Sequence, residues 1–318
     1  MKKTIRVIKF LLILLVLLIL IRTFVVEIHK MDSKMMEKTI VEDELVYINK
    51  TKFGIRFPIT LLSVPFFSNL YSPLIQLPYF RIPKFSGINH NHLIAFNTPG
   101  LNDLPIDKKP ILVKRCVGLP GDNLQIQNKK VFINQKEIEN PVNIQHNYRI
   151  TTNGCDSMLF TTETIRKYGI TQINLVAEIG VYDLPLTKKN AQKLKTEPYI
   201  MNLRKKEVIK GNGFNTIFPQ SGYFHWNKDY FGAVSIPKKG ATVSLNHKNI
   251  YLYKKIIEIY ESNFFEIKQN KIFINNSETQ TYTFKKNYYF VLDDNRDNAN
   301  DSRHWGFLPE DHIIGGIF

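Results

Sequence analysis

Lys114 is the side chain whose surroundings best suit it to act as a general base. It lies in the stretch Ile-Leu-Val-Lys-Arg-Cys-Val, residues 111–117, which runs into a tight Gly-Leu-Pro-Gly-Asp turn at 118–122. Apolar neighbours can desolvate a lysine and hold its amine neutral near pH 7, the state that accepts a proton. The alternative is an edge-strand lysine that points to solvent, and this segment alone favours that alternative.

A second segment changes that balance. Residues 289–292 have the composition of a strand, the loop after them is dense in aspartate, asparagine and arginine, and Trp305-Gly-Phe307 follows the loop. Asx turns and Asp–Arg pairs let such a loop satisfy its own backbone, and the same groups can organise a site.

Together the two segments resemble the signal peptidase I family, the membrane-anchored serine endopeptidases that remove signal peptides from exported proteins. The family's lysine box corresponds to residues 114–122, and its late box to residues 294–303 with the Trp-Gly-Phe turn. Residues 77–83, 226–232 and 236–240 are similar to the long form found in Bacteroidetes. Besides Lys114, the correspondence implies these site-supporting residues: Arg115, Asp293, Asp294, Ala299, Asp301, Ser302 and Arg303.

The resemblance implies a Ser/Lys dyad without histidine. It also implies a β-rich extracytoplasmic body and, as partners, extended signal-peptide segments with small residues at −1 and −3 from the cut. It implies no metal and no cofactor.

The family's nucleophile box, Ser-x-Ser-Met-x-Pro-Thr-Leu, corresponds here to Ser-Lys-Met-Met-Glu-Lys-Thr-Ile at 33–40, with Thr39 fixing the register. Met35 therefore stands at the nucleophilic serine, and a thioether has no proton for Lys114 to remove. Ser33 corresponds to the family's other serine, whose hydroxyl helps to bind the oxyanion. Two residues along an extended strand span about 6.5 Å, so we expect Ser33 to replace the nucleophile only if the strand slides.

Three more substitutions affect the same site. Ala299 stands where the family usually has a serine that bonds the lysine, Asp293 stands where glycine is usual, and Lys38 replaces a proline. A carboxylate beside Lys114 stabilises its ammonium form and opposes the neutral state that a base requires. The alternative is that Asp293 points to solvent and leaves Lys114 unaffected.

The elements that position these residues begin with an apolar segment, Ile5 to Val26, preceded by basic residues. Its length suits a helix that crosses a bilayer. A cleaved signal sequence is the rival interpretation, but no site of small residues follows. We therefore expect a single-pass anchor in the plasma (inner) membrane, with the bilayer as a partner, the N-terminus in the cytoplasm and the body in the periplasm.

Beyond the anchor, alternating apolar and polar residues predict a mainly β, antiparallel body. The clearest strands are 44–49, 93–97, 111–114, 130–134 and 287–292, and only 161–168 and 187–195 resemble short helices, each with a Thr cap. The expected organisation is a cytoplasmic tail (1–4), the anchor (5–26), the first part of the catalytic-type core (27–122), a large inserted β-rich region (123–285) and the late box that completes the core (286–318).

Residues 53–87 are unusually rich in aromatic, proline and aliphatic side chains. One interpretation is an apolar surface that dips into the outer leaflet beside the anchor. The other is an irregular segment packed on the sheet.

The composition sets outer limits on function. The chain is 43% hydrophobic, which excludes global disorder, and its 43 basic against 28 acidic side chains permit an anionic partner. We expect no nucleic-acid partner, because an extracytoplasmic chain rarely meets one. Cys116 and Cys155 lack a C-x-x-C spacing, so neither a structural zinc nor a redox centre is indicated, and their pairing stays open.

Three functions remain compatible with these residues. The first is a signal peptidase I homologue that binds exported chains by β-augmentation without Ser/Lys proteolysis. The second is an active peptidase that uses Ser33 with Lys114, and the third is a non-enzymatic membrane accessory protein.

Overall fold

The computed structural model describes residues 2–64, 70–82, 86–154, 156–176, 179–213 and 215–318. It begins with helix α1, Lys2–Phe24. Among the described residues α1 is the one helix long and apolar enough to cross a membrane, and none of its apolar stretch is buried by the rest of the protein. The predicted anchor extends two residues further, to Val26, where the first strand begins.

The strands, in chain order, are β1 (Val26–Lys30), β2 (Leu45–Asn49), β3 (Thr60–Ser63), β4 (Tyr71–Gln76), β5 (Leu93–Asn97), β6 (Ile111–Gly118), β7 (Asn123–Gln127), β8 (Lys130–Ile133), β9 (Lys136–Glu137), β10 (Gln145–Thr152), β11 (Asn174–Leu175), β12 (Val181–Thr187), β13 (Ile200–Lys205), β14 (Phe231–Ser235), β15 (Thr242–Ser244), β16 (Phe265–Lys268), β17 (Lys271–Ile274), β18 (Ser277–Glu278), β19 (Thr281–Thr283), β20 (Tyr288–Leu292), β21 (Leu308–Pro309) and β22 (Ile313–Ile317). The helices after α1 are α2 (Asp156–Leu159), α3 (Thr162–Tyr168), α4 (Lys188–Leu194), α5 (Ile250–Lys255) and α6 (Ser302–Trp305). The expectation of a mainly β fold with antiparallel sheets is confirmed, and all five strands chosen from the sequence are present.

A seven-stranded sheet carries the candidate site. Its strand order is β1-β2-β22-β5-β6-β20-β21, so β6 lies between β5 and β20. The predicted strand at 111–114 continues to Gly118, and its register places Lys114 beside Ile94 on one side and Arg115 beside Leu292 on the other. The lysine box therefore lies alongside the strand that leads directly into the late loop.

The chain between β1 and β2 packs against this sheet. Its buried apolar residues form one cluster with side chains of the neighbouring strands: Met31, Met36, Ile40, Val46, Ile48, Ala95, Val113 and Ile314. Met36 is only 1% exposed. Burying one such side chain contributes about 1.5–3 kcal/mol, which is enough to hold residues 31–40 in a defined position on the sheet.

The predicted inserted region contains several smaller sheets. One has the order β14-β7-β8-β9 and another β11-β12-β10-β13. Two more are smaller, the two-stranded β15-β19 and the three-stranded β16-β17-β18. Helices α3 and α4 match the two predicted helices, and Thr161 and Thr187 cap them as expected. The expectation that only these two segments are short helices is wrong, because α2, α5 and α6 are also present.

Residues 53–87 contain the hairpin of β3 and β4. Several of its apolar side chains are exposed, and Leu74 is 86% exposed. Phe53 and Ile59, in the irregular stretch before β3, are only 3% and 6% exposed, so the interpretation of an irregular packed segment describes that stretch but not the hairpin. Five of the side chains that motivated the membrane-surface interpretation lie outside the described residues: Pro65, Phe66, Phe67, Pro83 and Phe85.

Candidate active site

Lys114 and Asp293 form a buried ion pair. The Nζ atom of Lys114 lies 2.5 Å from Oδ1 of Asp293, and the two side chains are 3% and 0% exposed. Asp293 follows β20 directly, its Oδ2 accepts a hydrogen bond from the Asn300 backbone N–H at 2.9 Å, and its own N–H donates to Asp301. Neither Lys114 nor Asp293 points to solvent, so the solvent-facing alternatives for both residues are excluded.

The environment of this pair governs its chemistry. Burial raises the pKa of Asp293 to about 6, and the nearby Asp301 carboxylate acts in the same direction, while the Lys114 ammonium opposes both. Nζ donates to this carboxylate, so in this geometry the amine of Lys114 is engaged by Asp293 rather than by a hydroxyl.

A second buried pair lies beside the first. Arg115 donates to both carboxylate oxygens of Asp294, with Nε to Oδ1 at 2.7 Å and Nη2 to Oδ2 at 2.6 Å. The hydroxyl of Thr39 donates to the same Oδ2 at 2.5 Å, and Arg115 Nη1 donates to the carbonyl of Asn91. Bidentate contacts of this kind fix orientation, so they lock the late loop against β6 and the 31–40 segment.

The nucleophile-box residues form a tight turn. Lys34–Met36 is a single 3₁₀ turn, and Ser33 caps it by accepting a hydrogen bond at Oγ from the Met35 N–H at 3.1 Å. The carbonyl of Met35 accepts from the Asn295 N–H at 2.9 Å, so this turn touches the late loop. The expected extended strand is therefore wrong at this point, since two residues of a 3₁₀ helix advance only about 4 Å rather than about 6.5 Å.

The sulfur that meets the late loop belongs to Met36. Its Sδ accepts from the Asp294 N–H at 3.4 Å. Met35 is half-buried beside it, and position 35 supplies neither a hydroxyl nor a thiol. Ser33 carries the hydroxyl of this turn, and that oxygen is used as a helix cap.

The end of the late loop stabilises itself. Asp301 accepts from Arg303 Nε at 2.9 Å and Nη2 at 2.7 Å, and Ser302 Oγ accepts from the Val291 N–H at 3.0 Å. Burial acts to raise the pKa of Asp301, but Arg303 and His304 outweigh it and hold that pKa well below its usual range. Ala299, one residue before Asn300, offers only a methyl group.

An ionic cluster around Asp297 was not predicted from the sequence. Two lysines contact Oδ1 of Asp297, with Lys129 Nζ at 2.7 Å and Lys228 Nζ at 2.8 Å. His146 Nδ1 lies 3.7 Å from Oδ2 of the same carboxylate. Lys129 also contacts Asp229 at 2.9 Å. Burial acts to raise the pKa of Asp297, but His146 and the two lysines hold it well below its usual range. The motif at 226–232 was the available signal, because it supplies Lys228 and Asp229.

Replacing Asp297 by asparagine is expected to lower the free energy of unfolding at pH 7 by about 3 kcal/mol, because it leaves buried cations short of a counter-ion. The folded-state pKa lies below the unfolded value of about 3.9, so this stabilisation is present above that value and is lost as the pH falls. Denaturant unfolding at pH 7 and at pH 3 measures the difference between wild type and variant. That difference should be smaller at pH 3 than at pH 7.

Asp183→Asn provides a matched control. Asp183 also pairs with two cations, Arg149 and Lys206, but those side chains are 30% and 47% exposed. Exposed pairs contribute about 1 kcal/mol or less. A larger loss of unfolding free energy in Asp183→Asn than in Asp297→Asn would therefore contradict the interpretation of Asp297 as the centre of a buried ionic cluster.

The described residues include one of the two cysteines. Cys116 is a free thiol, and its burial raises its pKa. Cys155 lies outside the described residues. Within the described part of the chain, no group of three or more His, Cys, Asp or Glu side chains is placed to hold a metal ion.

Comparison with known proteins gives consistent matches. The family model described as "Signal peptidase, peptidase S26" matches residues 4–208 and 234–318. Signal peptidase I of Buchnera aphidicola subsp. Baizongia pistaciae (strain Bp) is 26% identical over 308 residues, or 94% of this chain and 70% of that protein. Signal peptidase I P of Bacillus subtilis subsp. natto is 24% identical over 219 residues, or 67% of this chain and 88% of that protein. The family match includes both segments that carry the candidate site.

Proposed function

The chain belongs to the signal peptidase family, peptidase S26, and from that membership we propose that it is a signal peptidase I homologue that binds signal peptides but lacks ordinary Ser/Lys proteolysis. In this proposal α1 anchors the protein with its N-terminus in the cytoplasm, so that the β body meets exported chains outside. An extended peptide adds to the body by β-augmentation, in which backbone hydrogen bonds supply affinity and shallow pockets select small side chains.

The observation that carries the proposal is the buried contact between Lys114 and Asp293. A Ser/Lys mechanism needs a neutral amine that removes a proton from a hydroxyl. Here the amine donates to a carboxylate instead, and the nucleophile position of the alignment carries the thioether of Met35. These two features support the loss of ordinary Ser/Lys proteolysis.

An active peptidase that uses Ser33 is the alternative that one observation favours. The 3₁₀ turn brings positions 33 and 35 closer than an extended strand would. Two contacts oppose it, because Ser33 Oγ is occupied by the Met35 N–H and Lys114 by Asp293. A non-enzymatic accessory role without peptide binding is the other alternative.

Purified full-length protein in detergent is expected to bind a fluorescent signal peptide with an Ala-x-Ala site and to leave it intact. Ser33→Ala and Lys114→Ala are expected to leave the absence of cleavage unchanged. A matched peptide with phenylalanine at −1 and −3 is the control, and we expect it to bind roughly tenfold more weakly because small pockets exclude a ring. Binding is measured by fluorescence anisotropy and cleavage by mass spectrometry.

The three functions give different results in this assay. Cleavage by the wild type that disappears in both alanine variants would establish the Ser33 mechanism and refute the proposal. Failure to bind either peptide would support the accessory role instead.

A further inference from the structure

A cavity of about 380 Å³ lies between α5 and the late helix α6, apart from the Lys114–Asp293 pair. One wall comes from α5 and the π-helical turn Ile256–Tyr260, and the opposite wall from residues 218–220 and the end of α6. None of its lining residues is one of the predicted site residues. Its volume falls within the usual range of small-molecule sites, about 300–1,000 Å³.

The aromatic walls of the cavity are held in place. Trp305 Nε1 donates to the Asn300 carbonyl at 3.1 Å, and its ring lies 6.1 Å from that of Phe96. Phe218 packs so closely on Gly306 that a Cβ there would lie 2.7 Å from its ring, and Gly306 has φ +90°. The cavity is therefore preformed on this side.

The opposite wall continues into a second cavity. The Tyr251 ring lies 5.7 Å from the ring of Tyr223, and Tyr251 and Gln220 line both spaces. The two rings are tilted by 40° to each other, and an aromatic wall with an open end favours a flat apolar body over a compact one.

The cavity carries more lysines than carboxylates. Lys254 and Lys255 line it against one carboxylate, Glu258, and His304 adds an imidazole. Within the described part of the chain neither lysine forms an ion pair. Lys255 Nζ instead lies 3.4 Å from the Trp305 carbonyl oxygen and 5.4 Å from the centre of the Tyr260 ring.

Lys255 has a hydrogen-bond partner, the Trp305 carbonyl, but no counter-ion among the described residues. Burial lowers its pKa, and the charge of Lys109 acts in the same direction. A carboxylate brought into the cavity would relieve this cost with a charge-assisted hydrogen bond. Lys255 also immediately precedes the π-helical turn Ile256–Tyr260, and such turns are frequent at functional sites.

We propose that this cavity binds an organic carboxylate with a flat apolar body, whose ring stacks between Tyr251 and Trp305 and whose carboxylate pairs with Lys255. The site is independent of peptide processing, so it stands or falls separately from the proposed function. His304, Lys254 and Glu258 also line the cavity.

The chain's two tryptophans allow a direct measurement. In a Trp226→Phe variant of the full chain, kept in a non-ionic detergent, Trp305 is the remaining tryptophan and its fluorescence reports on the cavity wall. The probes are 2-naphthoate and its neutral isostere 2-naphthalenemethanol. We expect saturable quenching by 2-naphthoate and roughly tenfold weaker binding of the alcohol, the loss of one charge-assisted hydrogen bond.

Variants test the role of the ammonium group. Lys255→Gln in the same background is expected to weaken 2-naphthoate roughly tenfold and to leave the alcohol unchanged. Lys271→Gln is the matched control, because Lys271 lies on the exposed β17 hairpin and pairs with Glu278. Equal affinity for both probes, non-saturable quenching, or a Lys255→Gln variant that binds 2-naphthoate like the control would each overturn the proposal.

Discussion

The triple variant Met35→Ser, Asp293→Gly, Ala299→Ser is expected to cleave a preprotein with an Ala-x-Ala site roughly 10²-fold or more above the wild-type background. Loss of a catalytic serine from a peptidase costs about 10⁶ in kcat, so even partial recovery is easily measured. The first substitution supplies a hydroxyl, the second removes the carboxylate that holds Lys114, and the third supplies a hydroxyl to orient the freed amine. Time courses of product formation by gel or mass spectrometry measure the gain.

Single substitutions are expected to recover much less. In Met35→Ser alone, Lys114 still donates to Asp293 and cannot take the new proton. In Asp293→Gly alone, the amine is free but faces a thioether. The gain of the triple variant should therefore exceed the product of the single gains, as expected for groups that act as a unit.

Adding Lys114→Ala to the triple variant is the matched control, and it should return cleavage to background. Cleavage that survives this fourth change would mean that another base acts, and the assignment of Lys114 would then be wrong. A triple variant that folds and binds peptide but never cleaves would show that the turn at 34–36 misplaces position 35.

Much of this site could be predicted because its residues lie in two continuous segments. Alternating apolar residues define β6 and β20, and once these strands pair, Arg115 lies beside Leu292 and the residue after Leu292 is Asp293. Sequence adjacency thus fixes both the approach of Asp293 to Lys114 and that of Asp294 to Arg115. No long-range information beyond the pairing of two strands is required.

Features that depend on packing were missed. Residues 250–260 are rich in isoleucine and tyrosine, a composition typical of strands, yet they form α5 and a π-helical turn. The buried positions Leu252, Tyr253, Ile256 and Ile257 follow helical spacing, and the cluster they join comes from distant strands. Tertiary burial overrides local propensity here.

The Asp297 cluster shows the same limit for charges. Lys129 and Asp297 are 168 residues apart, and nothing in the spacing of either segment indicates that they meet. The turn at 34–36 could not be predicted for a related reason. An alignment gives the residue at each position but not whether the backbone there is extended or helical.

The buried ion pair itself predicts a strong asymmetry in stability. Asp293→Leu is expected to lower the free energy of unfolding by about 3–5 kcal/mol, since it leaves the Lys114 ammonium buried without a counter-ion. The double variant Lys114→Met, Asp293→Leu removes both charges at similar volume and is expected to lie within about 1 kcal/mol of wild type or to be more stable. Denaturant unfolding of the four proteins completes the cycle.

The pH dependence of Lys114→Met separates an ionic pair from simple packing. The pKa of Asp293 is raised in the fold to about 6, so its contribution to stability is present below the unfolded value of about 3.9 and is lost as the pH rises through 6. Without Lys114 the carboxylate has no cation to balance it. The deficit of Lys114→Met relative to wild type should therefore be small at pH 5 and grow towards pH 8.

Asp293→Leu has no carboxylate to protonate at this position, so its deficit relative to wild type should fall as the pH rises through 6, opposite in sign to the change in Lys114→Met, and it serves as the control. A Lys114→Met deficit that stays level would mean that the lysine contributes by filling space. In that case the two charges would not be coupled, Lys114 would be free to act as a base, and the reason for assigning this chain a non-proteolytic role would fall with the ion pair.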